Sequence, residues 1–169
     1  MALPVYVTGQ VLDAPDCNLW FLPRVVVKAV DESVTSSVTL QNDDELFLSA
    51  DANAQYFVWG HVIYDGAAAG DISVAWSVPA GATFDWVSGG IQTGATTGVD
   101  TVSTSAQPTA GNPAIGAIGA GTNLVIPLQG RLVTAGTAGT LQFRWAQNTS
   151  NATATRVRAG SVLLMFRIG

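Results

Sequence analysis

His61 is the single histidine of this chain and Cys17 its single cysteine. These are the side chains best suited to proton transfer, nucleophilic attack or metal binding near neutral pH. His61 sits in a strongly apolar run, Gln55 to Tyr64, with no second histidine or cysteine to share a metal. It reads as a core or subunit-interface residue. Cys17 lies far from it in sequence, and one cysteine cannot close an internal disulfide. The acids Asp43, Asp44 and Glu45 are adjacent, without the spaced oxygen ligands of a calcium loop. They read as a solvated hairpin turn. The glycines sit in low-complexity loops rather than between a strand and a helix, so phosphate binding is not supported, and no GxSxG occurs. No pair of carboxylates is spaced as a glycosidase groove requires. No enzymatic activity, metal or cofactor is expected.

Binding chemistry has more material. Five tryptophans, Trp20, Trp59, Trp76, Trp86 and Trp145, could build a sugar platform, although in a β-sandwich such residues are more often core or interface. Trp86, in a short run beside a glycine-rich stretch, is the one expected at the surface as a ligand-loop residue for a host surface glycan. Arg156 and Arg158 flank the loop before the last strand and suit either a partner carboxylate or a solvated edge. Asn148-Thr149-Ser150 and Asn151-Ala152-Thr153 spell glycosylation acceptors. Without a secretory signal they are read as loop residues.

The elements that must carry these residues are strands. Thr140 to Gln147 alternates, with Leu141, Phe143 and Trp145 on one face. Ser161 to Ile168 is nearly all apolar, the pattern of a strand covered on both faces. Gln55 to Tyr64 is apolar on both faces and is expected to be central. Further strands are expected at Val34 to Leu40, Glu45 to Ser49, Asp71 to Val78, Thr83 to Val87 and Asn123 to Val133, with another possible within Val99 to Ala106. Gln107 to Gly121 reads as an exposed loop or contact surface. Nine or ten strands with no convincing helix describe an all-β protein: an antiparallel two-sheet β-sandwich, jelly-roll-like, over residues 31–169. Residues 1–30, with Pro4, Pro15 and Pro23, read as an extended N-terminal docking arm.

Bulk composition points to assembly. Of 169 residues 48% are hydrophobic and only 11% charged, against about 25% charged in ordinary globular chains. Such a chain covers its surface with small polar residues or with partners. Residues 1–100 hold all 12 acids and two bases, whereas 101–169 hold five bases and no acid. Either the halves interleave and neutralise locally, or opposite surfaces meet between identical subunits. The net charge of −5 argues against nucleic acid, and no apolar run is long enough for a membrane span.

Three stretches together resemble a known group. Gly9-Gln10-Val11-Leu12 with Asp16 and Asn18 is similar to a short segment near the N-terminus of many phage tail and fibre proteins, with Pro15 and Cys17 as departures. Asp31 to Leu40 with Asp43 to Leu46, and Gly139 to Ser161, extend the likeness. The combination resembles small virion proteins, tail-associated or decoration, of actinobacterial tailed phages. The C-terminal half is similar to trimeric jelly-roll heads of the tumour-necrosis-factor-like class, whose last strand packs beside a three-fold axis.

The resemblance implies a structural protein of the virion, made in the host cytoplasm. It would form a homotrimer and meet other virion proteins of tail or capsid. Docking would fall to Val11, Leu12, Trp20, Phe21 and Leu22. Subunit contacts would fall to Tyr56, Val58, His61 and Tyr64 of one strand and Val162, Leu164 and Phe166 of the last. A minor tail or tail-fibre protein is the first expectation, with a capsid decoration protein or head fibre, or a receptor- or glycan-binding module, as alternatives.

Overall fold

The computed structural model describes residues 7–11, 13–20, 22–97 and 102–169. Leu12 and Phe21 therefore lie outside the described residues. One short helix, α1 (Ala14–Trp20), precedes twelve strands. The first six are β1 (Arg24–Val27), β2 (Glu32–Val34), β3 (Gln41–Ala50), β4 (Gln55–Gly66), β5 (Ile72–Ser77) and β6 (Thr83–Ile91). The second six are β7 (Val102–Gln107), β8 (Ala114–Ile115), β9 (Gly119–Val133), β10 (Gly139–Gln147), β11 (Thr155–Val157) and β12 (Val162–Arg167).

The pairing has a simple rule. β1 pairs with β12, β2 with β11, β3 with β10, β4 with β9, β5 with β8 and β6 with β7, all antiparallel. The chain is one long hairpin that closes beyond Ile91 and then curls on itself. Lateral pairings β12·β4, β11·β4, β10·β5 and β6·β9 complete two sheets. The larger follows the order β1-β12-β4-β9-β6-β7, with β11 and β2 beside it, and the smaller the order β3-β10-β5-β8. This is the wound hairpin of a jelly-roll sandwich.

Winding explains the split of charge along the sequence. Three of the five late bases are brought back against early acids: Arg158 to Asp31 (3.2 Å), Arg156 to Asp65 (3.5 Å) and Arg167 to Asp51 (3.1 Å). Local neutralisation within one sandwich accounts for these pairs.

β4 occupies the middle of the larger sheet, as its two apolar faces require. Tyr56, Val58, Val62 and Tyr64 point inward and are almost wholly buried. Gly60 shares that inner face because a Cβ there would stand 2.9 Å from Leu163 Cδ2 and 3.0 Å from Leu128 Cβ. The core between the sheets is aromatic at one end. Trp76 meets Phe84 and Phe143 edge-on at 5.3 Å, and Phe84 stacks on Trp86 at 6.4 Å. Such pairs add directional contact to simple burial.

Several expectations need correction. Gln41 to Asp44 is the start of β3, not a turn, while 35–40 is mostly irregular and Ser36 takes a positive φ of 53°. The segment 107–121 is not a free loop. Ile115 and Ala117 are buried, Gly116 N donates to Ile91 O, and the Tyr64 hydroxyl donates to Gly116 O. The first residues past 13 form a helix because Pro15 sits in its first turn, where a missing N–H breaks no helical bond. The sandwich also begins earlier than residue 31: β1 is hydrogen-bonded into the larger sheet, and Lys28 is buried.

Candidate assembly face

The outward side chains of the larger sheet form a grid. Strand alternation and register fix its rows. Val25 lies opposite Leu164, Leu164 opposite Trp59, and Trp59 opposite Gln129. The adjoining row runs Val27, Val162, His61, Pro127, and the one on the other side Phe166, Phe57, Arg131, Asp85. Ile63 and Val125 open a fourth row. Val25 is 53% exposed, Phe57 40% and Phe166 41%. Trp59 stacks on His61 with ring centroids 6.3 Å apart. A shallow apolar dish extends the grid past Phe57 and Val87 to Ala106 and Pro108.

The outer side of the smaller sheet is different. Asn42, Asp44, Ser49, Thr140 and Ser77 are exposed there, with Phe47 as the large apolar exception. One face of the sandwich is thus built for water and the other is not.

This geometry sorts the expected contact residues. Val162, Leu164, Phe166 and His61 belong to the outward grid. Tyr56, Val58 and Tyr64 do not: their side chains fill the interior and leave no surface for a second subunit. On one side of the last strand Leu163 and Met165 pack into the core; on the other Val162 and Leu164 are half-buried and Phe166 is exposed, with α1 touching the strand. Trp86 is 3% exposed and donates Nε1–H to Pro108 O (3.1 Å), so it is a core residue and not a surface ligand platform. Val11 and Leu22 are exposed in the segment before β1, and Trp20 closes α1.

Two polar clusters hold the root of that segment. Arg24, at the first position of β1, donates to Asp51 Oδ2 (2.6 Å), and Arg167 near the C-terminus reaches the same oxygen (3.1 Å). Tyr56 donates its hydroxyl to Asp51 (2.9 Å), and the Arg24 guanidinium lies 5.5 Å from the Tyr56 ring centre. One β-strand further in, Lys28 Nζ donates to Asp43 (2.9 Å) and Glu32 (3.0 Å), with Glu45 at 3.7 Å. Asp43 also accepts from Leu46 N, Glu45 N and Trp145 Nε1. The acidic trio is therefore no solvated turn: Asp43 is buried, and Glu45 accepts from the amides of Ala29 and Val30. A usable signal was present in the sequence, since Lys28 is the chain's sole lysine and lies beside an apolar run. A lysine in that setting needs carboxylates.

These contacts set an acid dependence. Burial opposes ionisation of Asp51, but Arg24, the Tyr56 hydroxyl and Arg167 outweigh it and hold the carboxyl below its ordinary range. The Ala29 and Val30 amides, with Lys28, lower Glu45. A depressed carboxyl contributes stability above its unfolded value, about 4, and loses it as pH falls through the folded value. Asp71 goes the other way. Burial raises it more than the Ala117 amide lowers it, so its contribution is present at low pH and lost as pH rises through the raised value. Asp71 therefore predicts a modest rise in melting temperature as pH falls from 7 toward about 4, and Asp51 with Glu45 a fall below it. A melting temperature that climbs steadily from pH 4 to 2 would contradict these assignments.

Among the described residues no three His, Cys, Asp or Glu side chains gather in a form that could hold a metal ion. No helix there is long and apolar enough to cross a membrane.

Comparison with known proteins adds only a distant likeness. No protein-family model and no curated protein matches the chain. Among solved structures it is similar to the tripod (BppUct-A-L) from the baseplate of bacteriophage Tuc2009, with a TM-score of 0.39 and 10% identity over 98% of this chain and 74% of that one. It is also similar to infectious bursal disease virus Gx strain (TM-score 0.25, 13% identity, 95% of this chain, 45% of that one). T=1 particles derived from infectious bursal virus give a TM-score of 0.24 and 13% identity over 99% of this chain and 44% of that one. The chain thus spans under half the length of the two bursal-virus chains. At these scores the likeness carries nothing for function, and the all-β sandwich rests on the strand pairings themselves.

Proposed function

We propose that this chain is a structural accessory protein of a tailed-phage virion, a homotrimeric jelly roll anchored through its N-terminal segment. The observation that carries this reading is the rooted arm. The segment leaves the sandwich beside the C-terminal strand, and Asp51 ties Arg24 of β1 to Arg167 of β12 at that point. Pull on the arm is thus taken up by two paired strands. Exposed Val7, Val11 and Leu22 offer apolar side chains for docking. The sequence resemblance to tail and fibre proteins around Gly9 to Asn18 favours a minor tail or tail-fibre position over a capsid decoration protein or head fibre. The low charge of the chain supports self-association. The glycan-binding alternative keeps Phe57 and Trp59, with Phe166 beside them, as a candidate platform on the larger sheet, since Trp86 is interior.

The test is the mass of the purified full-length protein by multi-angle light scattering. Three chain masses, independent of concentration through the micromolar range, is the expected result. A monomer at those concentrations would overturn the trimer.

A further inference from the structure

We infer that the outer face of the larger sheet is the surface through which copies of this chain pack against one another. The inference rests on the trimeric reading above and names the surface that builds it. Exposed fractions of the apolar grid, applied to ordinary side-chain areas, leave on the order of 500 Å² of apolar surface open on β1, β12, β4 and β9. One partner in a standard interface contributes about 800 Å², of which about 65% is apolar when the partners are identical. The grid alone supplies that apolar share.

Shape and charge fit the same occupant. The grid spans four neighbouring strands at about 4.8 Å each and is flat along them, too broad for one small ligand. Its formal charges are Arg131 and Asp85, directly opposite each other across β9 and β6, and, past the Ile63 row, Arg156 held against Asp65 (3.5 Å). The Arg131 guanidinium also donates to Gln55 (2.8 Å). A face whose charges cancel locally can meet another copy of itself without like-charge repulsion, although the whole chain carries −5. Every copy displays the face at equal stoichiometry, so a second copy is the partner always present to cover it.

The grid also has two unlike halves. β1 and β12 offer aliphatic Val25, Val27, Val162 and Leu164. β4 and β9 offer the rings of Phe57, Trp59 and His61 with the Gln129 amide beside them. With Phe166 at the end of β12 and Ile63 and Val125 beyond His61, the two halves are not identical, and unlike halves suit a head-to-tail contact between one subunit and the next. Repeated by a rotation that closes, such a contact makes a ring.

The experiment compares full-length variants by light scattering, with far-UV circular dichroism and urea unfolding as checks of folding. Leu164→Asp and Trp59→Asp place a charge in either half of the grid. Val25→Ser is a mild change at a side chain already half exposed. Ser49→Asp and Thr140→Asp place the same charge on the opposite sheet. The two grid charges are expected to yield folded monomers, and Val25→Ser to raise the concentration for half-dissociation about tenfold. The opposite-sheet variants are expected to keep the wild-type mass. Folded grid variants that stay trimeric overturn this surface while leaving the trimer standing. Should both aspartate variants unfold, Val25→Ser decides, and an unchanged dissociation midpoint for it also overturns the surface. A monomeric wild type is a separate result and removes the trimer itself.

Discussion

Asp43→Ala should destabilise the isolated protein by about 3–5 kcal/mol, a large fraction of the 5–15 kcal/mol that holds a typical domain together. Asp43 accepts four hydrogen bonds: from Lys28 Nζ (2.9 Å), Leu46 N (2.8 Å), Glu45 N (3.0 Å) and Trp145 Nε1 (3.1 Å). Both charged side chains are completely buried. Burial works against the Lys28 ammonium, yet Asp43 and Glu32 outweigh it and hold its pKa above the ordinary value. Alanine removes the nearest counter-charge and orphans three further donors at once. The ammonium cannot escape to water without pulling the end of β1 from the sheet. Urea unfolding followed by tryptophan fluorescence measures the effect as a lowered midpoint at constant slope. A loss below about 1 kcal/mol would mean that water already reaches Lys28 and that the cluster is no lock.

Removal of residues 1–22 is the second large effect, on function rather than folding. The cut falls before β1, so Arg24, Lys28 and their carboxylate partners all remain. The shortened chain should keep the wild-type urea midpoint and subunit number, and should be absent from purified particles. A cut after residue 30 is a different experiment. It would strip β1 from the edge of the larger sheet and remove the lysine that three carboxylates surround, and loss of incorporation would then follow from misfolding alone.

The sandwich was legible in the sequence where periodicity speaks for itself. Gln55 to Tyr64 reads as a central strand because ten consecutive residues alternate between two apolar sets, and that strand is β4. The end of the chain was half legible. An unbroken apolar run from Val162 to Phe166 cannot reveal whether its second face is covered by the same chain or by another. Buried salt bridges were not legible, because adjacent acids in a polar stretch look alike whether they face water or a lysine fifteen residues away. The Gly/Ala/Thr-rich region failed for a related reason. What pins residues 111–117 is the Tyr64 hydroxyl of β4 and the carboxylate of Asp71 just before β5, both far back in the sequence. Trp86 was misplaced because its neighbours are small, and small neighbours mark close packing as readily as an open surface.

The measurement that bears most directly on a structural role in the virion is the amount of this chain in gradient-purified particles. Full-length and 23–169 forms would be supplied in turn to a host in which the resident copy is silenced, and the chain quantified by mass spectrometry of the particles. The full-length form is expected at a fixed copy number divisible by three, and the truncated form at background. Particles that lack the full-length chain, or that take up both forms equally, would contradict an arm-anchored component of the virion.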